Sequence, residues 1–288
     1  FLANKDKKLA APNPELYENY GPDVIVSGAE PVYVPLRETI VPDGSTTFSY
    51  DSDQLRSAFS SRTKAIILNN PNNPLGKVFS IQEIEEIAAL CCEYDCLAVT
   101  DEMYEYLIYD DQVHISIGSL PEMRNRTITI SGLSKTYSMT GWRLGTLVAN
   151  ETVAKAVADL QSQTTSNATT FAQYGALSVL ERPEDSRSAV REMLVHFGRR
   201  RLNLLEGLNS IEGVTCERAE AAFYLFPNVS SFGLSSDEFS TRLLEETKVA
   251  VVPGHAFGAE GYVRLSYATS DAIIEKGIER LASFCSSL

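Results

Sequence analysis

The sequence predicts an α/β protein: a doubly wound, mainly parallel sheet followed by a smaller α+β C-terminal domain. Three observations carry this prediction. Short apolar runs alternate with helical stretches through the first 185 residues, the pattern of strand and crossover helix. One run, Ala65-Ile66-Ile67-Leu68, shows no polar alternation, as a strand covered on both faces requires. The residues best suited to chemistry follow directly after such runs, at strand carboxyl ends, where open α/β sheets bind their ligands.

Taken in order, Phe1 to Glu15 mix Lys, Asp, Pro and Asn without a period, and no element is expected there. Val24 to Ser27 and Pro31 to Leu36 read as a strand edge and a strand, split by the turn-like Gly28-Ala29-Glu30. Gln54 to Phe59 suits a short helix. The strand at Ala65 runs into Asn69-Asn70-Pro71-Asn72-Asn73-Pro74-Leu75-Gly76, dense in residues that turn the backbone. Ser80 with Glu83 forms a capping box opening an amphipathic helix to about Tyr94. Strands follow at Cys96 to Thr100, Thr127 to Ile130 and Leu144 to Ala149. Glu151 to Leu180 is helical in pattern, with a boundary at Glu181-Arg182-Pro183. Ser186 to Leu208 then reads as a long helix, whose Arg199-Arg200-Arg201 suits a solvated face. The remainder mixes strands at Val214 to Glu217, Ala222 to Phe226, Val249 to Val252 and Tyr262 to Tyr267 with helices at Ser236 to Thr247 and Ser270 to Phe284. The expected division is a large domain over residues 1–185 and a small one over 186–288.

Composition narrows the function. With 44% hydrophobic and 22% charged residues the chain can bury a substantial core. A net charge of -13 argues against nucleic acid, whose phosphates need a basic face. No apolar run has the length of a membrane span, and the first ten residues lack a signal peptide's apolar core, so a cytoplasmic or organelle-matrix protein is expected. The five cysteines lack zinc-site spacing and read as reduced packing residues, with no metal expected.

The informative stretch is Ser131 to Gly145, SGLSKTYSMTGWRLG. Lys135 offers an amine that becomes nucleophilic when desolvated or set beside another cation, and it could then form a Schiff base with a carbonyl. Arg143, eight residues on, offers a planar fork of donors to phosphate oxygens. An amine nucleophile and an anion clamp in one loop suggest a covalently held, phosphorylated cofactor.

Four features stand in order: Asn73 in NNPNNPLG, Asp101 and Tyr104 in DEMY, Lys135 and Arg143 in the loop just described, and Arg264 in YVRLSYA. Together they resemble the fold-type I pyridoxal-phosphate enzymes, specifically the aspartate aminotransferase superfamily, from about Tyr17 to the C-terminus. The resemblance implies a large domain of the pyridoxal-phosphate-dependent transferase type and a homodimer. It also implies transfer of an amino group between an L-amino acid, aspartate-type or broader, and a 2-oxo acid. It assigns Lys135 to the Schiff base with pyridoxal 5'-phosphate and to proton transfer, and Asp101 to the pyridine nitrogen, whose protonation a buried carboxylate supports. Tyr104 matches the tyrosine on the ring hydroxyl, Arg143 the phosphate clamp, and Arg264 the arginine that grips the α-carboxylate. Asn73 matches the asparagine touching that carboxylate and the ring hydroxyl. A hydroxyl commonly joins the clamp three residues before the lysine, but that position is Gly132, so Ser131 and Ser134 are both candidates. Tyr17, in Tyr17-Glu18-Asn19-Tyr20, matches a ring stacked on the cofactor, with Tyr20 read as a core aromatic. His114, His196 and His255 read as structural.

Family members carry a longer stretch before the region of Tyr17, with a Gly-rich phosphate turn, and Phe1 to Glu15 does not resemble it. The large domain is therefore expected to be N-terminally incomplete. The same scaffold supports carbon-sulfur lyases and cyclopropane-forming synthases. An inactive binding or dimer-modulating module is the alternative from another class.

Overall fold

The computed structural model describes residues 8–12, 19–40 and 46–288. In chain order the strands and helices are β1 (Lys8–Pro12), α1 (Tyr20–Val26), β2 (Glu30–Val34), β3 (Arg37–Ile40), β4 (Thr46–Ser49), α2 (Ser52–Ala58), β5 (Thr63–Asn69), α3 (Ile81–Glu93), β6 (Leu97–Asp101), β7 (Thr127–Gly132) and β8 (Gly145–Val148). They continue as α4 (Glu151–Thr164), α5 (Thr170–Leu180), α6 (Pro183–Asn209), β9 (Tyr224–Leu225), α7 (Ser236–Thr247), β10 (Val252–Pro253), β11 (Val263–Ser266) and α8 (Asp271–Cys285).

The main sheet has the order β2-β1-β5-β6-β7-β8. All its pairings are parallel except β7 with β8, which is antiparallel. This is the mainly parallel α/β sheet that the strand and helix alternation predicts. β5 lies between two parallel neighbours, and Ala65 to Asn69 are all buried, which explains the run without polar alternation. The register sets Asn69 beside Asp101 and Asp101 beside Ile130, so the carboxyl ends of β5, β6 and β7 lie side by side.

The local signals act where expected. Ser80 accepts from the Glu83 amide while Glu83 accepts from the Ser80 amide, and α3 buries Ile84, Ile87, Ala88, Leu90 and Cys91 against the sheet. α6 begins at Pro183, inside the expected boundary and ahead of the expected start at Ser186, because the proline ring fits a first-turn position lacking an amide partner. The second core gathers Leu204 and Leu208 of α6, Phe239 and Leu243 of α7, Ile274 and Leu281 of α8, and Leu225 and Val263 of β9 and β11. All five cysteines are free, and four are buried.

The structure corrects several sequence readings. Val24 to Ser27 is no strand: Val24 lies in α1 and packs on Ile67 of β5, and this burial outweighs the β-preference of Val-Ile-Val. Lys8–Pro12, where no element is expected, forms β1 between β2 and β5. Its pairing on both edges supplies what a five-residue, Pro-ended segment does not announce. Val214 to Glu217 forms only an isolated bridge, Thr215 with Asn228. Arg201 is not on a solvated face. It is 1% exposed, paired with Asp110 at 2.7 Å, bonded to the Ala219 carbonyl and stacked on Tyr109.

Candidate active site

The carboxyl ends of β5, β6 and β7 and the edge of β11 bring the chemistry-bearing residues to one place. Asp101 ends β6. Its backbone carbonyl accepts the Asn70 amide at 3.0 Å and the Asn69 side chain at 3.3 Å. Asn69 in turn accepts the Asn73 amide at 2.7 Å, and Asn73 is 4% exposed. The turn-rich loop after β5 is thus tied back to β6 through its own amides, which fixes the Asn73 side chain.

Arg264 reaches this loop from β11, donating to Asn73 Oδ1 at 2.8 Å. Its guanidinium lies over the rings of Tyr224, 4.4 Å away, and Phe257, 4.8 Å away. Held over two aromatic rings, the fork is a planar set of donors of the kind that suits an anion. Tyr104 is 4% exposed and its hydroxyl donates to the Tyr224 hydroxyl at 3.3 Å. Burial pushes the Tyr104 phenol well above its ordinary range, Tyr224 adds to this, and Arg264 opposes it.

Lys135 follows β7 in the loop that the sequence singles out. Its Nζ lies 5.6 Å from the Phe223 ring. Burial holds its amine below the usual lysine range, Arg264 and Arg143 push the same way, and Asp101 opposes them. Asp101 itself is pushed up by burial, and the Tyr20 hydroxyl and the Met103 amide pull it back. The register sets the end of β6, which carries Asp101, beside β7, which leads into the Lys135 loop. Arg143 has a left-handed backbone, φ 54°, and donates to the Thr140 carbonyl at 2.9 Å. A non-glycine residue in that region is held by its surroundings, a condition that clusters at functional sites.

The two serine candidates differ. Ser131 donates to Glu105 at 2.6 Å, so its hydroxyl is already engaged by a carboxylate. The Ser134 carbonyl accepts from Thr140 at 3.0 Å, within the same loop as Arg143. Tyr17 lies outside the described residues.

Several residues of this neighbourhood escape sequence reasoning. Tyr20, read as core, donates its hydroxyl to Asp101 Oδ2. Asn69, Phe223 and Tyr224 build the floor, yet asparagine in a turn or aromatics in a strand signal nothing specific. Glu102, next to Asp101, is buried and accepts from Ser116 at 2.7 Å and Thr100 at 3.2 Å, and it pairs with His114 at 3.0 Å. That network anchors the segment after Tyr104 to β6, giving His114 the structural part read for it. His255 pairs with Asp237 at 3.0 Å.

The donor set suits a phosphorylated pyridine aldehyde: an amine held below its ordinary range, a carboxylate, a phenol, an amide and two guanidinium groups are carried by the segments after β5, β6 and β7 and by β11. The comparisons with known proteins agree with that chemistry. The sequence model of aminotransferase class I and II matches residues 1–281, and the chain belongs to this family of pyridoxal-phosphate-dependent enzymes. It is an aminotransferase. It is 42% identical over 287 residues to the probable aspartate/prephenate aminotransferase of Aquifex aeolicus, covering 98% of this chain and 71% of that protein. It is 42% identical over 283 residues to the aspartate aminotransferase of Pyrococcus abyssi, covering 98% and 70%. Among solved structures, the aromatic aminotransferase from Pyrococcus horikoshii superposes with a TM-score of 0.91 at 39% identity, covering 100% of this chain and 75% of that one. The Thermus thermophilus aspartate aminotransferase with maleate gives 0.90 at 36% identity, covering 98% and 71%.

Proposed function

We propose that the amino-group transfer runs on Lys135, with Asp101, Tyr104, Asn73 and Arg143 holding pyridoxal phosphate and Arg264 with Asn73 holding the substrate carboxylate. The observation that supports this reading is that the carboxyl ends of β5, β6 and β7, which lead to Asn73, Asp101 and Lys135, lie side by side, with Arg264 bonded to Asn73 at 2.8 Å. When bound, the cofactor supplies an aldehyde that takes up the amino group and a ring that accepts the electron pair left on the substrate carbon.

The chain's own residues then divide the work. Burial, with Arg264 and Arg143 acting the same way, favours the free base of Lys135, the form that would hold the cofactor through its aldehyde. Nζ would also serve as the base that takes and returns the proton of the substrate α-carbon. The Asp101 carboxylate would hold the pyridine nitrogen in its protonated form, and the Tyr104 hydroxyl would hold the ring oxygen. Arg143 offers its fork to the phosphate, with Ser134 or Ser131 beside it. The Arg264 fork takes the α-carboxylate bidentately and orients the α-carbon toward Lys135. Aspartate-type amino acids are the proposed donors, which the names of several relatives support. The reading includes a homodimer in the cytoplasm. The large and small domains divide near residue 185, close to the start of α6.

The test is direct. The purified protein is supplied with pyridoxal phosphate, an L-amino acid and a 2-oxo acid, and the new amino acid is measured. Lys135→Ala should lower turnover by at least ~100-fold, the scale of a lost general base. Undiminished turnover in that variant would remove Lys135 from the mechanism, and release of sulfide or a cyclic amino acid instead of transfer would point to a lyase or synthase.

A further inference from the structure

We infer that Tyr20 is a positioning residue for Asp101: its hydroxyl fixes the carboxylate at the end of β6 in the direction and charge state that a protonated pyridine nitrogen needs. The inference rests on the proposed role of Asp101 and extends it to a residue that sequence reasoning leaves in the core.

The geometry is specific. Tyr20 opens α1, and its ring packs against the cluster of Val24 of its own helix and Ile67 of β5, against which Val99 of β6 also packs. Val99 and Asp101 are two residues apart on β6 and share one face of the sheet. The ring therefore runs along that face to the strand end, where its hydroxyl donates to Asp101 Oδ2. The other oxygen, Oδ1, accepts the Met103 amide at 3.0 Å. With both oxygens engaged and the backbone carbonyl taken by Asn69 and Asn70, the carboxylate has little freedom to turn.

The charge state follows from the groups that face Asp101. Burial favours its neutral form, and the neighbouring Glu102 does so too. The Tyr20 hydroxyl, the Met103 amide and Lys135 favour the ionised form. Tyr104 lies within electrostatic reach as well and is itself held as neutral phenol by burial. Tyr20 is the strongest of the groups opposing burial, and it arrives from an element remote in sequence, so the charge of Asp101 depends on the docking of α1.

Tyr20→Phe keeps the ring and removes the hydroxyl. In protein without added cofactor, the Asp101 carboxyl carbon, followed by 13C NMR against pH, should titrate about one unit higher in the variant, the scale of one hydrogen bond to a charged group. In the loaded enzyme, kcat should fall about tenfold while the KM for amino acid stays within roughly twofold, and the acidic limb of the kcat profile should move to higher pH. Replacing Tyr20 by 3-fluorotyrosine, a stronger donor of similar shape, should move both titrations the opposite way. An unmoved Asp101 titration together with an unmoved acidic limb overturns the inference. Asp101→Ala separates it from the wider reading: full turnover there removes Asp101 from the site, whereas lost turnover beside an unaffected Tyr20→Phe defeats only the part given to Tyr20.

Discussion

Lys135 and Arg264 are the residues whose physical state most directly controls what the site can do. A lysine held below its ordinary range in the folded protein binds fewer protons there than in the unfolded chain. Stability therefore rises with pH through the window between its lowered folded value and the ordinary 10.5, and below that window the charged amine destabilises the fold. Lys135→Met should accordingly make the cofactor-free protein more stable at neutral pH and flatten that alkaline rise, read from urea midpoints across pH. Arg264→Lys keeps the charge but loses the planar fork that bonds Asn73 and stacks on Tyr224. The expected cost is about 2–3 kcal/mol of transition-state binding, roughly 30- to 150-fold in kcat/KM for amino acids. Amines without an α-carboxylate should show little change, which steady-state kinetics on both substrate classes would reveal. The roles proposed for Lys135, Asp101 and Arg264 are legible in sequence because each is a distinctive residue in a distinctive loop. Tyr20 is not, because a tyrosine opening a helix looks the same whether its hydroxyl meets solvent or a carboxylate.

Elements position these groups, and two of them can be tested separately from the chemistry. The capping box at Ser80 holds the start of α3, whose apolar face packs under the sheet and away from Lys135. Ser80→Ala should lower unfolding free energy by about 1 kcal/mol and leave kcat unchanged, a pairing checked by chemical denaturation and turnover on the same sample. Gly76 closes the loop that carries Asn73. Its φ is +69°, and a Cβ there would lie 2.6 Å from both the Ala219 side chain and the Ala221 carbonyl. Its own carbonyl accepts the Glu220 and Ala221 amides at 2.9 and 2.8 Å. Gly76→Ala must therefore push this loop away from the segment leading into β9, costing about 1–3 kcal/mol of stability. It should also weaken amino-acid binding through the displaced Asn73, visible as a raised KM. The capping box and the turn-rich loop are written in local sequence. The helical state of Val24 is not, since it follows from packing on Ile67.

At the scale of the molecule, the two cores are unevenly covered. α4 has no buried residue, and α5 buries only Ala172 and Ala176 while Phe171, Tyr174 and Leu180 are 69%, 70% and 62% exposed. A helix's stability comes mainly from its packed face, so α4 should open at a free energy near zero and α3 close to the global value. Hydrogen exchange of the protein as it stands should show α4 amides exchanging well before those of α3, and equal protection of the two would contradict this picture. By itself, the sequence determined the alternation of strand and helix, the capped start of α3, and the polar residues carried beyond strand ends, because each depends on neighbours a few positions away. Only the tertiary structure decided that Lys8–Pro12 enters the sheet between β2 and β5, that Arg201 goes inside against Asp110, and that Tyr20 reaches Asp101. Parallel pairing and burial join residues far apart in the chain, and their free energies outweigh local preferences only once the partners have met.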